Sequence, residues 1–465
     1  MQGSQLLDLI KSLTKHDMRE LRKVVRSPYF NQREDVILLF DFIEKSLNSK
    51  TPNLLKKKVF EILFPNKKYD DTLIRQVMSY LYKTIQKYLI TNEVLQSPIE
   101  SQIGLIQSLR QRGADKLLEK NLEESLQSLE SQTFKNAKYH FSKYSLRIEE
   151  YEYRGQKKRN TELNLQSLTN ELDYFYISER LRQACLIYSH QTISKKVYEQ
   201  PLLKATLELA ENMIDVPPSI SAYFHTYKAL TEAKTDYHFQ ELKNIIVKQG
   251  YLFPENERRD LYSLAINYCV RRLNTGEKMY GKEALELYRV RLDNYVLLEN
   301  GVLPAYTYKN MLMLALKAEE YDWAERVLHD FKQYLPEKER ENIFNYNLAI
   351  FYFRTGNYPD AMMLLQKVNL NDVLYNLDAR RLLARIYYET DENNALHSLI
   401  ESSKVYLHRQ KDIGYGHDSY ANYFRFLERM MKIDLKKADS RKILRWEVEG
   451  TQLLAEREWF MEKLK

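Results

Sequence analysis

Residues 345–368, NYNLAIFYFRTGNYPDAMMLLQKV, constrain the fold of this chain more than any other stretch, because they read as two amphipathic helices closed by a tight turn. The turn Arg354-Thr355-Gly356-Asn357 falls where the first helix must stop, and glycine takes a left-handed conformation there without a Cβ clash. Before it, Leu348, Ala349 and Tyr352 recur at helical spacing. After it, Tyr358, Ala361, Leu365 and Val368 do the same, with Pro359 tolerated because a first-turn nitrogen has no intrahelical acceptor to lose. Small residues at Ala349 and Ala361 let the helices approach, and the large Tyr and Leu side chains fill the space beside them.

The frame recurs. Upstream, Tyr308 to Phe331 repeats it with Tyr321, Ala324 and Leu328, exits at Pro336, and carries Glu319 where glycine would stand. Downstream, Leu383, Ala384 and Tyr387 are followed by a turn slipped by one residue, Thr390 to Asn393. Further upstream, Leu264, Ala265, Tyr268, Ala284 and Tyr288 match, with extra residues around Gly276. Over residues 264–388 the pattern resembles the tetratricopeptide repeat, in which a small residue and an aromatic mark the first helix, Gly-x-Tyr the turn and Ala the second helix. The resemblance implies an all-α fold, a right-handed α-solenoid of TPR-like helix hairpins, working by surface complementarity rather than by reactive groups.

Composition supports the helical reading separately. With 12 Gly and 11 Pro in 465 residues, the chain has little material for the hairpin turns of a β-rich fold. The 36 Tyr against 18 Phe fit rings that span a thin core and reach water at the hydroxyl, or else a preferred core filler. Cys185 and Cys269 sit in apolar helical patterns and read as reduced core residues. The N-terminus is too polar for a signal peptide and no apolar run is long enough to span a membrane, so the expectation is a soluble, cytoplasmic protein.

Charge divides the chain. Residues 1–90 hold 17 Lys and Arg against 10 Asp and Glu, which is the whole net charge of +7; the rest balances at 54 of each. Three regions follow: a small basic helical domain at 1–95, a helical middle region of degenerate helix pairs at 96–218 broken by the polar run Arg154 to Asn160, and the TPR-like α-solenoid at 219–465. In the first, Thr14 and Asp17 form a capping box, Thr51-Pro52 opens a lysine-rich helix, and Asp70 or Asp71 caps a helix striped with Leu73, Val77, Leu81, Ile85 and Tyr88. Lys56, Lys57, Lys58, Lys67 and Lys68 are either a solvated face and loop or a polyanion-binding patch for nucleic acid. The connection is too long and lacks the glycine of a DNA-reading helix-turn-helix.

Catalytic patterns are missing. There is no Walker-type phosphate loop, no HExxH, and two cysteines cannot build a zinc site, so the expectation is no enzyme, no cofactor and no metal. What remains is a groove. The resemblance implies that first helices line the concave side, and by frame Lys309 and Asn347 fall at the lysine and asparagine places of a carboxylate clamp, which then fails at Met313 and Leu382. Tyr306, Lys309, Asn310, Tyr346, Asn347, Arg381 and Arg385 are the candidate partner-binding residues, suited to a peptide or protein carrying acidic groups. On that reading, Lys309→Glu with Arg381→Glu weakens binding at little cost in stability. The expected function is a protein-interaction scaffold or adaptor; the alternative is a regulator whose basic domain binds nucleic acid while the repeats sense a peptide or protein.

Overall fold

The computed structural model describes all residues except 1–2, 48–53, 158–161, 195, 233–234, 294–296, 299–300, 371, 411–414 and 434–436. The expected helix start at Thr51-Pro52 and residues 158–160 of the Arg154 to Asn160 run lie outside the described residues. Among those described there are 23 α-helices, two short 3-10 turns and no strand. No helix of the described residues is long and apolar enough to cross a membrane.

The chain forms two compact units, one of residues 1–131 and 142–169, the other of 132–141 and 170–465. The boundaries expected near 95 and 218 fall inside the first and second unit respectively. The first unit contains α1 (Gln5–Ser12), α2 (Lys15–Val25), α3 (Glu34–Leu47), α4 (Lys56–Leu63), α5 (Asp71–Gln96), α6 (Pro98–Gln111) and α7 (Asp115–Glu130); the division then passes within α8 (Ala137–Gly155) and α9 (Leu165–Ile193).

Local chemistry sets these helices. Thr14 Oγ1 accepts from the Asp17 amide at 3.1 Å, and Asp17 Oδ2 accepts from the Thr14 amide at 2.9 Å, closing the capping box of α2. Asp70 Oδ1 accepts from the Thr72 and Leu73 amides at 2.8 and 3.2 Å and starts α5. Ile74, Val77, Leu81, Ile85 and Tyr88 bury one face of α5 in a core running from Leu6 to Tyr88. Tyr88 gives its hydroxyl to Asp17 Oδ1 at 3.1 Å, and burial, with that acceptor, pushes the phenol up to about 12.

In the second unit follow α10 (Leu203–Glu211), α11 (Pro218–Thr231), α12 (Tyr237–Lys248), α13 (Glu255–Asn274), α14 (Met279–Asp293), α15 (Ala305–Lys317), α16 (Tyr321–Asp330), α17 (Arg340–Arg354), α18 (Tyr358–Leu365), α19 (Val373–Glu389), α20 (Asn393–Arg409), α21 (Tyr415–Lys432), α22 (Ala438–Gly450) and α23 (Arg457–Lys463). From α11 to α20 each helix packs on the next, and α11 also packs on α13, α15 on α17, α17 on α19 and α19 on α21. One core runs from Ile177 to Leu464, with Ala284, Ala324, Ala349, Ala361 and Ala384 fully buried.

The turns share one geometry. Gly276, Glu319, Gly356 and Asp391 have φ of 101°, 61°, 82° and 58°. In each turn the amide after the left-handed residue reaches back five positions: Glu277 to the Arg272 carbonyl (3.2 Å), Glu320 to Ala315 (2.9 Å), Asn357 to Tyr352 (2.8 Å) and Glu392 to Tyr387 (2.9 Å). Glu319 and Asp391 therefore do a glycine's work at a steric cost.

Tyrosines fill this core. Tyr262, Tyr268, Tyr280, Tyr308, Tyr346 and Tyr423 are fully buried, so their hydroxyls do not reach water as a thin core would have them do. Tyr308 donates to the Leu328 carbonyl at 2.7 Å and Tyr423 to that of Arg381 at 3.1 Å, since a phenol deep among helices satisfies itself on protein acceptors. Cys185 and Cys269 are buried and free, and burial raises both thiols.

Candidate functional site

A cleft of about 530 Å³ in the second unit is lined by Tyr306, Lys309 and Asn310 of α15, by Asp372, Leu374, Tyr375, Asp378 and Arg381 at and within α19, by Ser419 and Tyr420 of α21, and by Ala455. Asp372 starts α19 by accepting from the Leu374 and Tyr375 amides at 2.7 and 3.1 Å, which sets the phase that turns Asp378 and Arg381, one helical turn apart, toward α15 and α21.

Asp378 is the hub. Lys309 Nζ reaches its Oδ2 at 2.6 Å, Arg381 Nε and Nη2 reach Oδ1 at 2.8 and 2.7 Å, Tyr420 donates to Oδ1 at 3.3 Å, and Tyr346 donates to Oδ2. The ammonium of Lys309 also lies over the rings of Tyr346 and Tyr375, 5.3 and 5.0 Å from their centroids. Burial works against ionising Asp378, but Arg381 and Lys309 outweigh it and hold the carboxyl well below the usual range. Arg381 passes its second fork to Glu456, which also takes Arg385; Arg385 lies over Phe353 and Trp459 at 5.0 and 5.3 Å. Glu456 stands at φ 57° ahead of α23, whose Trp459 donates to Glu389 at 2.6 Å and is buried beside Phe460.

Four of the seven candidate partner-binding residues, Tyr306, Lys309, Asn310 and Arg381, come together on this cleft, and the structure places the other three elsewhere. Tyr346 is buried beneath it, spending its hydroxyl on Asp378. Asn347 is buried with Nδ2 on the Ile343 carbonyl at 2.7 Å, and Arg385 is held by Glu456. Lys309 and Arg381 are structural cations as well as lining residues, so replacing both by glutamate would set two new carboxylates against Asp378 and Glu456. The expectation of little lost stability is corrected on that ground. Asp378 was legible only as an i, i+3 partner of Arg381; Glu456, 75 residues from Arg381, carried no local signal. Tyr306 is 60% exposed and Asn310 is exposed, which leaves them as the side chains most open to a partner.

In the first unit, Lys56 pairs with Asp71 at 3.2 Å, and Arg75 shares that carboxylate at 2.6 Å. Lys57, Lys58, Lys67 and Lys68 are exposed, and Lys67 lies 5.3 Å from the Phe64 ring centroid. Among the described residues no group of three or more His, Cys, Asp or Glu side chains is arranged to hold a metal ion. Compared with protein-family models, with curated proteins and with solved structures, the chain matches none.

Proposed function

We propose that this protein is a non-enzymatic interaction scaffold, an α-solenoid of TPR-like helix hairpins that holds a peptide or protein partner in the cleft beside Asp378. The observation that carries this reading is the meeting of Tyr306, Lys309, Asn310, Tyr375, Arg381 and Tyr420, brought from three helices around one cleft. Aromatic faces contribute buried area there, and amide, hydroxyl and ammonium donors fix orientation. On the cleft itself two cations, Lys309 and Arg381, stand beside two carboxylates, Asp378 and Asp372, so the lining is balanced in charge and its charged groups orient a partner rather than select one sign.

The test is co-purification of the full chain beside Tyr306→Ala/Asn310→Ala, with nuclease treatment and mass spectrometry of what is retained. Both side chains are exposed, so the variant folds as the parent does. Proteins that survive nuclease and leave with the two substitutions support the cleft; identical retention by both chains sinks it.

A second reading rests on the four exposed lysines at 57, 58, 67 and 68: a regulator whose basic helices bind nucleic acid. If all four contact phosphate, the logarithm of affinity for duplex DNA falls against the logarithm of salt with a slope of about −3.6. Four glutamates at those positions remove that slope, and binding that ignores them ends this reading.

A further inference from the structure

A second cleft of the second unit, of about 580 Å³, opens between α18, α19 and α20. From α19 it takes Val373, Asn376, Arg380 and Leu383, a stripe at three- and four-residue steps. The Asp378 cleft takes Leu374, Tyr375, Asp378 and Arg381 from the same helix, on average about half a turn away. One helix therefore floors two clefts on its opposite faces.

Arg380 is the one charged side chain that the described residues bring to the second cleft, and no carboxylate is among them. Its Nη1 donates to Ser402 Oγ at 3.1 Å and reaches Ser403 Oγ at 3.4 Å, and the guanidinium lies over the Tyr406 ring, 5.1 Å from the centroid. Ser402 spends its own proton on the Leu399 carbonyl at 3.0 Å, which leaves its lone pairs for Arg380. These contacts fix where the cation sits and leave its charge whole, since hydroxyls and a ring are neutral. Neighbouring acids of the described chain are engaged elsewhere. Asp372 caps α19, Asp378 takes Lys309 and Arg381, and Glu401 takes Lys404 at 2.9 Å.

The rest of the lining is neutral. Leu365, Val368, Leu383 and Leu399 supply hydrocarbon, and the amides of Gln366 and Asn369 are exposed. Apolar walls with a few placed polar groups, at this volume, suit a small molecule rather than a protein surface. Charge then selects among anions. One guanidinium balances one negative charge, and its fork matches the two oxygens of a carboxylate. A phosphate monoester brings about −1.5 to −2 at neutral pH, and its excess would stand unanswered against hydrocarbon and amides.

We infer that this cleft binds a small carboxylic acid of single negative charge, its carboxylate on Arg380 and its hydrocarbon body against the leucines and valines. Two sources share that chemistry: a plain aliphatic acid, and an N-acylated amino acid whose amide meets Gln366 and Asn369. The site lies across α19 from the Asp378 cleft and does not rest on the function proposed there.

The experiment is isothermal titration calorimetry of the full chain with hexanoate and, in a second arm, N-acetyl-leucine. Saturable binding of hexanoate assigns the site to plain acids, and saturation by N-acetyl-leucine alone assigns it to acylated amino acids. Arg380→Met then weakens the bound acid roughly tenfold or more, as loss of charge-assisted hydrogen bonds requires. That variant breaks no ion pair of the described residues, so its Tm stays near the parent's. Should it fail to fold, Arg380→Lys carries the test, because it keeps the charge, loses the fork and weakens the same affinity. Hexanamide, the neutral counterpart, binds more weakly than hexanoate by about the same factor. No saturable heat with either acid overturns the inference, as does hexanamide binding as tightly as hexanoate or an affinity that Arg380→Met leaves unchanged. Asp412 lies outside the described residues, and Asp412→Asn closes that side. An unchanged affinity leaves Arg380 to an acid from solution, whereas a gain of about tenfold shows that the chain's own carboxylate competes for it and overturns the inference.

Discussion

Arg381 and Arg291 are buried almost equally, 9% and 6% exposed, yet they belong to different kinds of place. Arg381 stands between Asp378 and Glu456 with every direction of its fork answered by its own chain. Arg291 meets a serine hydroxyl at 3.4 Å and a second arginine. A buried cation with its counter-ions built in is part of the architecture, and its removal exposes uncompensated acids. Among the described residues Arg291 has no such counter-ion, so the cost of its burial is offset there only by weak polar contacts and the carbonyl end of α14. The contrast explains why frame position alone could not locate an acid-binding group, since Arg381 sits at a first-helix position and is already spent.

The sharpest way to break this comparison is Asp378→Ala. It leaves Lys309 and Arg381 facing each other without their shared carboxylate, and should cost about 3–5 kcal/mol in chemical denaturation. A loss below about 1 kcal/mol would mean that the network is no more structural than a surface pair. The same carboxyl predicts an acid limb. Because its folded value is depressed, its contribution is whole above the unfolded value of about 4 and drains as pH falls through the folded one. Asp378→Asn should lose that limb when stability is followed from pH 5 downward, and an unchanged limb would assign it to other groups.

An uncharged defect in the same unit supplies the scale. Ala361, fully buried where α17 meets α18, should cost about 1–3 kcal/mol as Ala361→Leu, and a neutral result would show that this contact yields more readily than its burial implies. The smallest effect has the opposite sign. Glu319→Gly relieves a left-handed backbone at φ 61° and should stabilise by about 0.5–1 kcal/mol, after the entropy glycine loses on folding. Destabilisation would show that the Glu319 side chain contributes more than its backbone costs.

Much of the helical layout was legible because its signals are local. The capping box at Thr14 and Asp17, the Asp70 cap, the Gly356 turn and the buried alanines all depend on residues within a turn or two of one another. Even the two departures from pattern, Glu319 and the slipped turn at Asp391, close by the same five-back hydrogen bond, so the backbone motif tolerated what the residue pattern did not. The cleft was half legible. Tyr306, Lys309, Asn310 and Arg381 follow from first-helix positions, but Tyr346 and Asn347 do not, because α17 packs on α15, α16, α18 and α19 and has little free face. Periodicity says that a side chain points inward or outward; it does not say which of two neighbouring helices has made the outward side a second interior. Arg291 escaped notice for a related reason: an arginine in a helix's last turn is an ordinary sequence feature, and only its burial makes it unusual.

Glu456 also has a consequence in time. The carboxylate that clasps Arg381 and Arg385 is synthesised 75 and 71 residues after them. At roughly 5–20 residues per second on the ribosome, both guanidiniums wait about 4–15 s for it. During that interval α19 can be helical, with Arg381 already on Asp378 of the same helix, but Arg385 and the free Nη1 of Arg381 still lack their acid, so this corner of the nascent chain stays hydrated until the clasp arrives. Final closure of the cleft is thereby deferred until Glu456 has been made, and a chaperone that recognises unfinished helix pairs has those seconds in which to act.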